Sequence, residues 1–309
     1  MKAAIDIGSN SILLAIAEAP RPNERVKLQH DEARVVGLIK GVHENSKISD
    51  EKLEDAKTCL RDYKKIVDQF SAQKDLKIVA TESLRLPRNG LEIKRQLEEA
   101  VEHEIELISG DREAELSFKS VEFEFPSPDA QVKKLVFDIG GASTEIVLGS
   151  SAGIELKTSE KIGCVILSQR FGLERAQSLQ DACHEVLNLF EKSARLLEIK
   201  ESFHKSKQEA FGVAGTMTSL IAVEKALERY DRDLVNGQKI SLERVLYWRD
   251  HIMSLDTPER QSLKGLEPKR ADVFGGGLCI LSCIMNFFSL KEVTCADAGV
   301  RIGLLYEKA

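Results

Sequence analysis

The sequence predicts an α/β fold made of two domains built alike, and three observations carry that expectation. Apolar runs of strand length alternate along the chain with stretches of helical apolar periodicity. The 309 residues, 42% hydrophobic and 30% charged, suit two soluble domains of ordinary size with ample core. One short pattern also occurs twice. Leu135-Val136-Phe137-Asp138-Ile139-Gly140-Gly141-Ala142-Ser143-Thr144-Glu145-Ile146-Val147-Leu148-Gly149 reads as a buried strand, a Gly-rich turn carrying an Asp, and a second strand. Ala3-Ala4-Ile5-Asp6-Ile7-Gly8-Ser9-Asn10-Ser11-Ile12-Leu13-Leu14 has the same form, and both copies place Asp-Ile-Gly at the turn. Self-similarity of this kind points to two related domains facing each other.

After the first hairpin, Val26 to Val36 continues an antiparallel sheet, and Gly37 to Ser46 reads as a polar loop. Ser49 or Asp50 caps a helix whose apolar positions are Leu53, Ala56, Leu60, Tyr63 and Val67. Lys77 to Thr81 is a short strand. Pro87, Asn89 and Gly90 break the chain before a helix through Leu97 and Val101. Glu104 to Ile108 is the next strand, and Ser109-Gly110 turns it into a helix with Ala114, Phe118 and Val121 on one face. Phe125-Pro126-Ser127-Pro128 breaks the pattern and sets the domain boundary, giving domains 1–125 and 126–299.

The second domain opens with the Asp138 hairpin. A long helix is expected from about Ser178 to Leu197, with Ala182, Val186, Leu189 and Ala194 on one face. Ala210 to Ala214 is a strand that enters a helix at Gly215-Thr216. Ser241 to Ser254 and Ala271 to Ser289 are helices, Glu292 to Thr294 a strand, and Val300 to Lys308 a terminal helix.

Net charge is −6, so nothing global attracts a polyanion, and any such attraction must be local. The six cysteines show no paired CxxC spacing and read as reduced core residues of a cytoplasmic protein. Cys279 and Cys283 are one helical turn apart, with no His or further Cys nearby to complete a metal site. Met1 to Ala17 looks like a poor signal peptide, but Asp6 and Asn10 interrupt it. Val273 to Leu290 touches the lower length limit for a membrane span, yet three glycines and Asn286 favour a buried helix.

The two Asp turns carry the candidate chemistry. Backbone N–H groups of Gly8, Ser9 and Asn10, and of Gly140, Gly141, Ala142 and Ser143, could cradle phosphate oxygens. Gly215-Thr216 at a helix N-terminus is a further anion site. Asp6, Asp138 and Glu145 could hold Mg²⁺ or another divalent cation, which takes a few carboxylates plus water and substrate phosphate. The plain alternatives are that Asp138 bonds its own turn backbone and that Glu145 points to solvent. Glu113, in the first turn of its helix, could simply complement the helix N-terminus, an effect of roughly 0.3–1 kcal/mol.

The chain resembles the exopolyphosphatase and guanosine pentaphosphate phosphohydrolase (Ppx/GppA) family, of the acetate kinase, sugar kinase, Hsp70 and actin superfamily. The motifs, in family order over nearly the whole chain, are Asp6-Ile-Gly-Ser-Asn-Ser, Ala80-Thr81-Glu82-Ser83-Leu84-Arg85, Ile108-Ser109-Gly110-Asp111-Arg112-Glu113-Ala114, the Asp138 stretch, Gly163-Cys164-Val165, Gly212-Val-Ala-Gly215-Thr216 and Asp297-Ala-Gly-Val-Arg301. The resemblance implies two actin-like (ribonuclease H-like) domains with a cleft between them, in the short two-domain form. It implies that the terminal helix, within 300–309, packs on the first domain.

The resemblance further implies that Glu113 is the general base and that Arg85 grips phosphate, with a fork of donors that suits paired oxygens. The family has a third Gly where this chain has Ala142. Lys269, Arg270 and Arg301 could extend a positive track or be solvated charges.

The implied reaction is metal-assisted, in-line attack of water on a terminal phosphate of inorganic polyphosphate, or of guanosine pentaphosphate to give the tetraphosphate. No nucleic acid or membrane partner is expected, and a homodimer is implied. Two other readings stay open. One is a phosphotransferase of the same superfamily, with Val273-Phe274-Gly275-Gly276-Gly277 as an adenosine-binding turn. The other is a non-catalytic alarmone or nucleotide sensor.

Overall fold

A computed structural model describes residues 1–18, 24–172 and 176–307, without the side chains of 176 and 177. Met1–Phe125 and Ala298–Ala309 form one compact unit, and Pro126–Asp297 forms another.

The first unit contains strands β1 (Lys2–Ile7), β2 (Ser11–Ala17), β3 (Leu28–Val35), β4 (Leu76–Ala80) and β5 (Glu106–Leu107). They lie in the order β3-β2-β1-β4-β5. β1, β2 and β3 are antiparallel neighbours, whereas β4 runs parallel to β1 and β5 parallel to β4. Its helices are α1 (Val42–Asn45), α2 (Asp50–Gln69), α3 (Glu82–Arg85), α4 (Gly90–Val101) and α5 (Gly110–Glu124).

The second unit contains β6 (Val132–Ile139), β7 (Thr144–Ser150), β8 (Gly153–Glu160), α6 (Cys164–Phe171), α7 (Ala176–Lys192), α8 (Ala194–His204), β9 (Lys207–Val213), α9 (Ala214–Glu224), α10 (Arg232–Val235), β10 (Lys239–Ser241), α11 (Leu242–Ser254), α12 (Thr257–Gln261), α13 (Phe274–Phe287) and β11 (Glu292–Cys295). The sheet order is β10-β11-β9-β6-β7-β8. The chain then returns to the first unit as α14 (Val300–Leu305).

The repeat seen in the sequence is a repeat of topology. Strands β8-β7-β6-β9-β11 follow the order and directions of β3-β2-β1-β4-β5: two antiparallel steps on one side, two parallel steps on the other. Strand β7 is buried along its whole length and β6 over its last six residues, which explains their near-continuous apolar runs. Leu135, Phe137, Ile146 and Leu148 enter one core with Leu278, Ile280, Leu281 and Ile284 of α13. Each such side chain contributes roughly 1.5–3 kcal/mol by leaving water.

Ser49 caps α2 by accepting a hydrogen bond from Lys52 N, and Leu53, Ala56, Leu60, Tyr63 and Val67 form its buried stripe. Ser109 caps α5 in the same way, accepting from Arg112 N. In the first unit α14 packs on α5 and β1, with Ile302, Leu304 and Leu305 against Ala4, Ala15 and Leu116. Its Gly303 lies so close to the Leu116 carbonyl that a Cβ there would overlap it.

Several expectations need correction. The long helix over 178–197 is two helices, because Ser193 stops α7 and caps α8 by accepting from Leu196 N. The loop from Gly37 to Ser46 contains the single turn α1, and Leu38 and Ile39 are fully buried beneath it. The strand over 104–108 shortens to Glu106–Leu107. Strand β8 and helix α6 were not foreseen. The terminal helix ends at Leu305, and Lys308 lies outside the described residues. Arg301 extends no positive track: it is buried and makes a bidentate pair with Asp31, Nε to Oδ1 and Nη2 to Oδ2 both at 3.0 Å. Among the described residues, no helix is long and apolar enough to cross a membrane.

Candidate functional site

Each unit carries one Asp hairpin at the same place in its sheet, and the two are built alike. In the first, Ile7 pairs with Ile12 and Gly8 N donates to Ser11 O at 3.0 Å. In the second, Ile139 pairs with Thr144 and Gly140 N donates to Ser143 O at 3.0 Å. A Cβ at Gly8 or Gly140 would stand 2.9 or 3.0 Å from that accepting oxygen, so both turns close tightly for want of a side chain. Neither the two glycines nor Ala142 adopts positive φ, which is why alanine is accepted at position 142.

The turn carbonyls face inward on the fold and are already used. Val36 and Gly37 donate to Asn10 O, and Ile39 donates to Ser9 O. Cys164 donates to Gly140 O, and Val165 and Ile166 donate to Gly141 O, so the second turn seats the first turn of α6. Gly163 packs so tightly on the Gly141–Ala142 peptide that any Cβ would collide with it. Gly8 N and Gly140 N are spent inside their own turns, on Ser11 O and Ser143 O, so they do not bind phosphate as expected; the N–H groups of Ser9 and Asn10, and of Gly141, Ala142 and Ser143, are the candidate binding groups. The buried Asn10 Nδ2 has no hydrogen-bond partner among the described residues and adds a donor to the first turn.

The two hairpins differ at one register position. Asp6 stands opposite Leu13, whereas Asp138 stands opposite Glu145. Residues directly opposed on antiparallel strands share a face of the sheet. Asp138 and Glu145 are 7% and 1% exposed, so the solvent-facing alternative for Glu145 is overturned. Ser159 Oγ donates to Glu145 Oε1 at 2.6 Å and fixes its orientation. A buried pair of hard oxygen donors on one face suits a divalent cation such as Mg²⁺, which binds through one or two carboxylates and completes its shell with water and phosphate. The pair belongs to the second unit and Asp6 to the first.

Glu113 is buried in the first turn of α5, where its N–H makes the opening helical bond to Ser109 O at 2.9 Å. Its Oε2 lies 3.7 Å from Nη2 of Arg85. Arg85, at the end of α3, is held by Glu82, with Nε and Nη2 at 2.9 and 2.7 Å from Oε2, and by the Ile108 carbonyl. The first unit thus brings Arg85 and Glu113 together and adds Glu82, which sequence reasoning passed over. The signal was the three-residue spacing of Glu82 and Arg85, which puts opposite charges side by side on one helical turn.

In the second unit, Gly215 and Thr216 open α9. No side chain caps this helix, and Ala214 enters it at φ 66, a left-handed conformation costly for a residue with a Cβ. The Arg270 guanidinium lies directly over Gly215, in space that a Cβ would fill. Burial draws its pKa below the ordinary arginine value, against the opposing charges of Cys164, Glu267 and Tyr230. A helix N-terminus beneath a guanidinium has the electrostatics that favour an anion. Of the three basic residues weighed in the sequence, Arg270 alone takes such a place: Lys269 is exposed and Arg301 is committed to Asp31.

Burial pushes the Cys164 thiol up to about 11, despite Arg270, so it remains a neutral thiol rather than a nucleophile near pH 7. The glycines at 275–277 form no adenosine-binding turn. They lie inside α13, where Gly276 meets Ser168 and the Cys164 carbonyl of α6, and Gly277 meets Thr216 of α9.

Two sheets of common topology, each opening on an Asp-bearing hairpin rich in backbone donors, define an actin-like α/β protein. Residues 21–309 match the model of the Ppx/GppA phosphatase family, and the chain belongs to that family.

Among its relatives is a bifunctional 3-dehydroquinate synthase/phosphatase of Fusobacterium nucleatum, 31% identical over 312 residues that take in 99% of this chain and 46% of that protein. A guanosine-5'-triphosphate,3'-diphosphate pyrophosphatase of Aeromonas salmonicida is 30% identical over 98% of this chain and 58% of its own length. The chain therefore spans about half the length of these curated relatives. The solved structure of an exopolyphosphatase from Cytophaga hutchinsonii superposes with a TM-score of 0.83 at 25% identity, covering 98% of this chain and 96% of that one.

Proposed function

We propose that the protein hydrolyses phosphoanhydrides, releasing terminal phosphate from guanosine pentaphosphate or from inorganic polyphosphate. Both substrates present the same chemistry, a linear anhydride chain ending in a dianionic phosphate. The names of the Aeromonas salmonicida and Cytophaga hutchinsonii relatives support one substrate each.

Glu113 is the observation that carries this reading. A buried carboxylate beside a guanidinium that is itself anchored by a second carboxylate is a base held in place, not a surface charge. Glu113 takes the proton of the attacking water, a role that supplies about 10²–10⁴-fold in rate. Arg85 and the N–H groups of Ser9 and Asn10 orient phosphate oxygens in the first unit. Gly141, Ala142, Ser143, Gly215, Thr216 and Arg270 do so in the second. Asp138 and Glu145 are the residues that would hold Mg²⁺, which neutralises charge on the phosphate oxygens when bound. Positioning and charge neutralisation suffice for this chemistry, and the neutral Cys164 thiol takes no part in it.

The test is phosphate release from guanosine pentaphosphate and from long-chain polyphosphate, with Mg²⁺, by the parent protein and by Glu113→Gln. Release by the parent, lost in the variant while substrate binding survives, is the expected result, and the ratio of the two rates selects the substrate. Equal release by both proteins would remove Glu113 from the mechanism. Tight binding without release by the parent would replace hydrolysis with a sensor function.

A further inference from the structure

The second unit holds a thiol cluster that the phosphate chemistry does not use. The spacing of Cys279 and Cys283 along the chain suggested that no further Cys completes their group. The fold supplies one, Cys183 of α7, and the three Sγ atoms lie within 4.8 Å of one another. Cys279 and Cys283 are fully buried on α13, while Cys183 is half-buried. Cys183 also lines a cavity of about 740 Å³, with His184, Arg249, Asp250 and Met253 among its walls. None of the six cysteines is joined in a disulfide.

We propose that Cys183 is an oxidation site for small hydroperoxides, and that its product is an internal disulfide with Cys279. The two Sγ atoms are 3.0 Å apart. That is well inside a van der Waals contact and about 1 Å from a disulfide bond length. Arg249 stands beside Cys183, its own charge shared with Asp250 at 2.8 Å. Hydrogen bonds from Cys279 and then Cys283, with Arg249 adding to them, pull the Cys183 pKa below the ordinary thiol value, while the same bond raises that of Cys279. Either sulfur can donate across this contact, and Cys183, which lines the cavity beside Arg249, is the one a peroxide reaches. The accessible sulfur is the activated one, and its buried neighbour is the resolving one.

The steps balance. The Cys183 thiolate attacks the terminal peroxide oxygen, the O–O bond breaks, and hydroxide (alkoxide from an organic hydroperoxide) leaves, giving a sulfenic acid. Cys279 then attacks the sulfenic sulfur; the S–O bond breaks, and hydroxide leaves with the Cys279 proton as water. Two thiols are oxidised to one disulfide, and one hydroperoxide is reduced. Cys283 is left reduced, with its Sγ 3.7 Å from the Cys183 carbonyl.

The experiment treats the reduced full chain with one equivalent of hydrogen peroxide, followed by non-reducing digestion and mass spectrometry. A Cys183–Cys279 cross-linked peptide lighter by two hydrogens is expected, with Cys183 consumed about ten-fold or more faster than the buried Cys59, Cys164 or Cys295. In Cys279→Ser, dimedone should trap a sulfenic acid on Cys183. Unchanged thiols, first oxidation at another cysteine, or a Cys183–Cys283 link would overturn the assignment. So would a metal ion found on the three thiols, with no disulfide formed after its chelation. The parent measurement needs no variant to fold.

Discussion

Asp138 and Glu145 face each other across β6 and β7, two carboxylates in direct register with neither more than 7% exposed. In the matching hairpin of the first unit, Asp6 faces Leu13. Like charges set directly opposite are unfavourable. Two full charges about 5 Å apart repel by roughly 3 kcal/mol at an effective dielectric near 20. A cation shared between them would turn that cost into binding energy.

Glu145→Gln and Asp138→Asn should therefore separate stability from metal response. Without divalent cations, each variant is expected to melt no lower than the parent, because a repulsion has been removed. Added Mg²⁺ should raise the parent's melting temperature and leave the variants unmoved, with phosphate release reduced about 10²-fold or more. Thermal melts with and without Mg²⁺ check this, and a full Mg²⁺ shift in Glu145→Gln would exclude that residue as a ligand.

Gly163→Ala tests the seat of the second turn. The added methyl group must displace the Gly141–Ala142 peptide, because that peptide occupies its space. Overpacking of this kind costs typically about 1–3 kcal/mol. The displaced donors should lower kcat/KM about ten-fold or more in a protein that still folds. Denaturant melts and steady-state phosphate release, taken together, measure the two effects.

Gly303→Ala sets two effects against each other. Alanine gains about 1 kcal/mol of helix propensity over glycine. Its Cβ, however, overlaps the Leu116 carbonyl, and backbone gives way less easily than side chain. The expected result is net destabilisation of about 1–3 kcal/mol by urea titration. A variant as stable as the parent would show that α14 can ride away from α5 at no cost.

Acid should loosen the segment that follows α14. Burial is the largest influence on Glu307 and raises its pKa, but the ion pairs with Arg112 and Lys77 outweigh it and leave the pKa below the usual value of 4.5. A carboxyl whose folded pKa is depressed contributes stability above its unfolded pKa and loses it as pH falls through the folded one. Glu307→Gln should therefore destabilise near neutral pH, and its difference from the parent should shrink below about pH 4. Melting temperatures across pH 3–7 for both proteins provide the comparison.

The elements that the sequence announced were those with a local signature. Capping serines at 49, 109 and 241, the apolar stripe of α2 and the twin Asp-Gly hairpins all write their structure into neighbouring residues. The break at Ser193 was hidden because the apolar period runs through it, and only the cap bond to Leu196 N stops the helix. Contacts between distant segments left no such trace. Arg301 looked like a free cation until Asp31 arrived from β3. Arg270 looked like one until it was found over Gly215, and Cys183 had no visible link to Cys279. Glu145 was ambiguous because alternation along a strand reports which face a residue takes, not whether that face is covered.

The return of α14 to the first unit also sets a timetable for synthesis. Every residue of the second unit leaves the ribosome before Val300–Leu305 does. At roughly 5–20 residues per second, the growing chain spends about ten seconds or more making that insert. Throughout that interval Ala4, Ala15 and Leu116 lack the apolar cover that Ile302, Leu304 and Leu305 later bring. The nascent first unit thus carries uncovered apolar surface until its last segment emerges, and the second can mature ahead of the segment that precedes it.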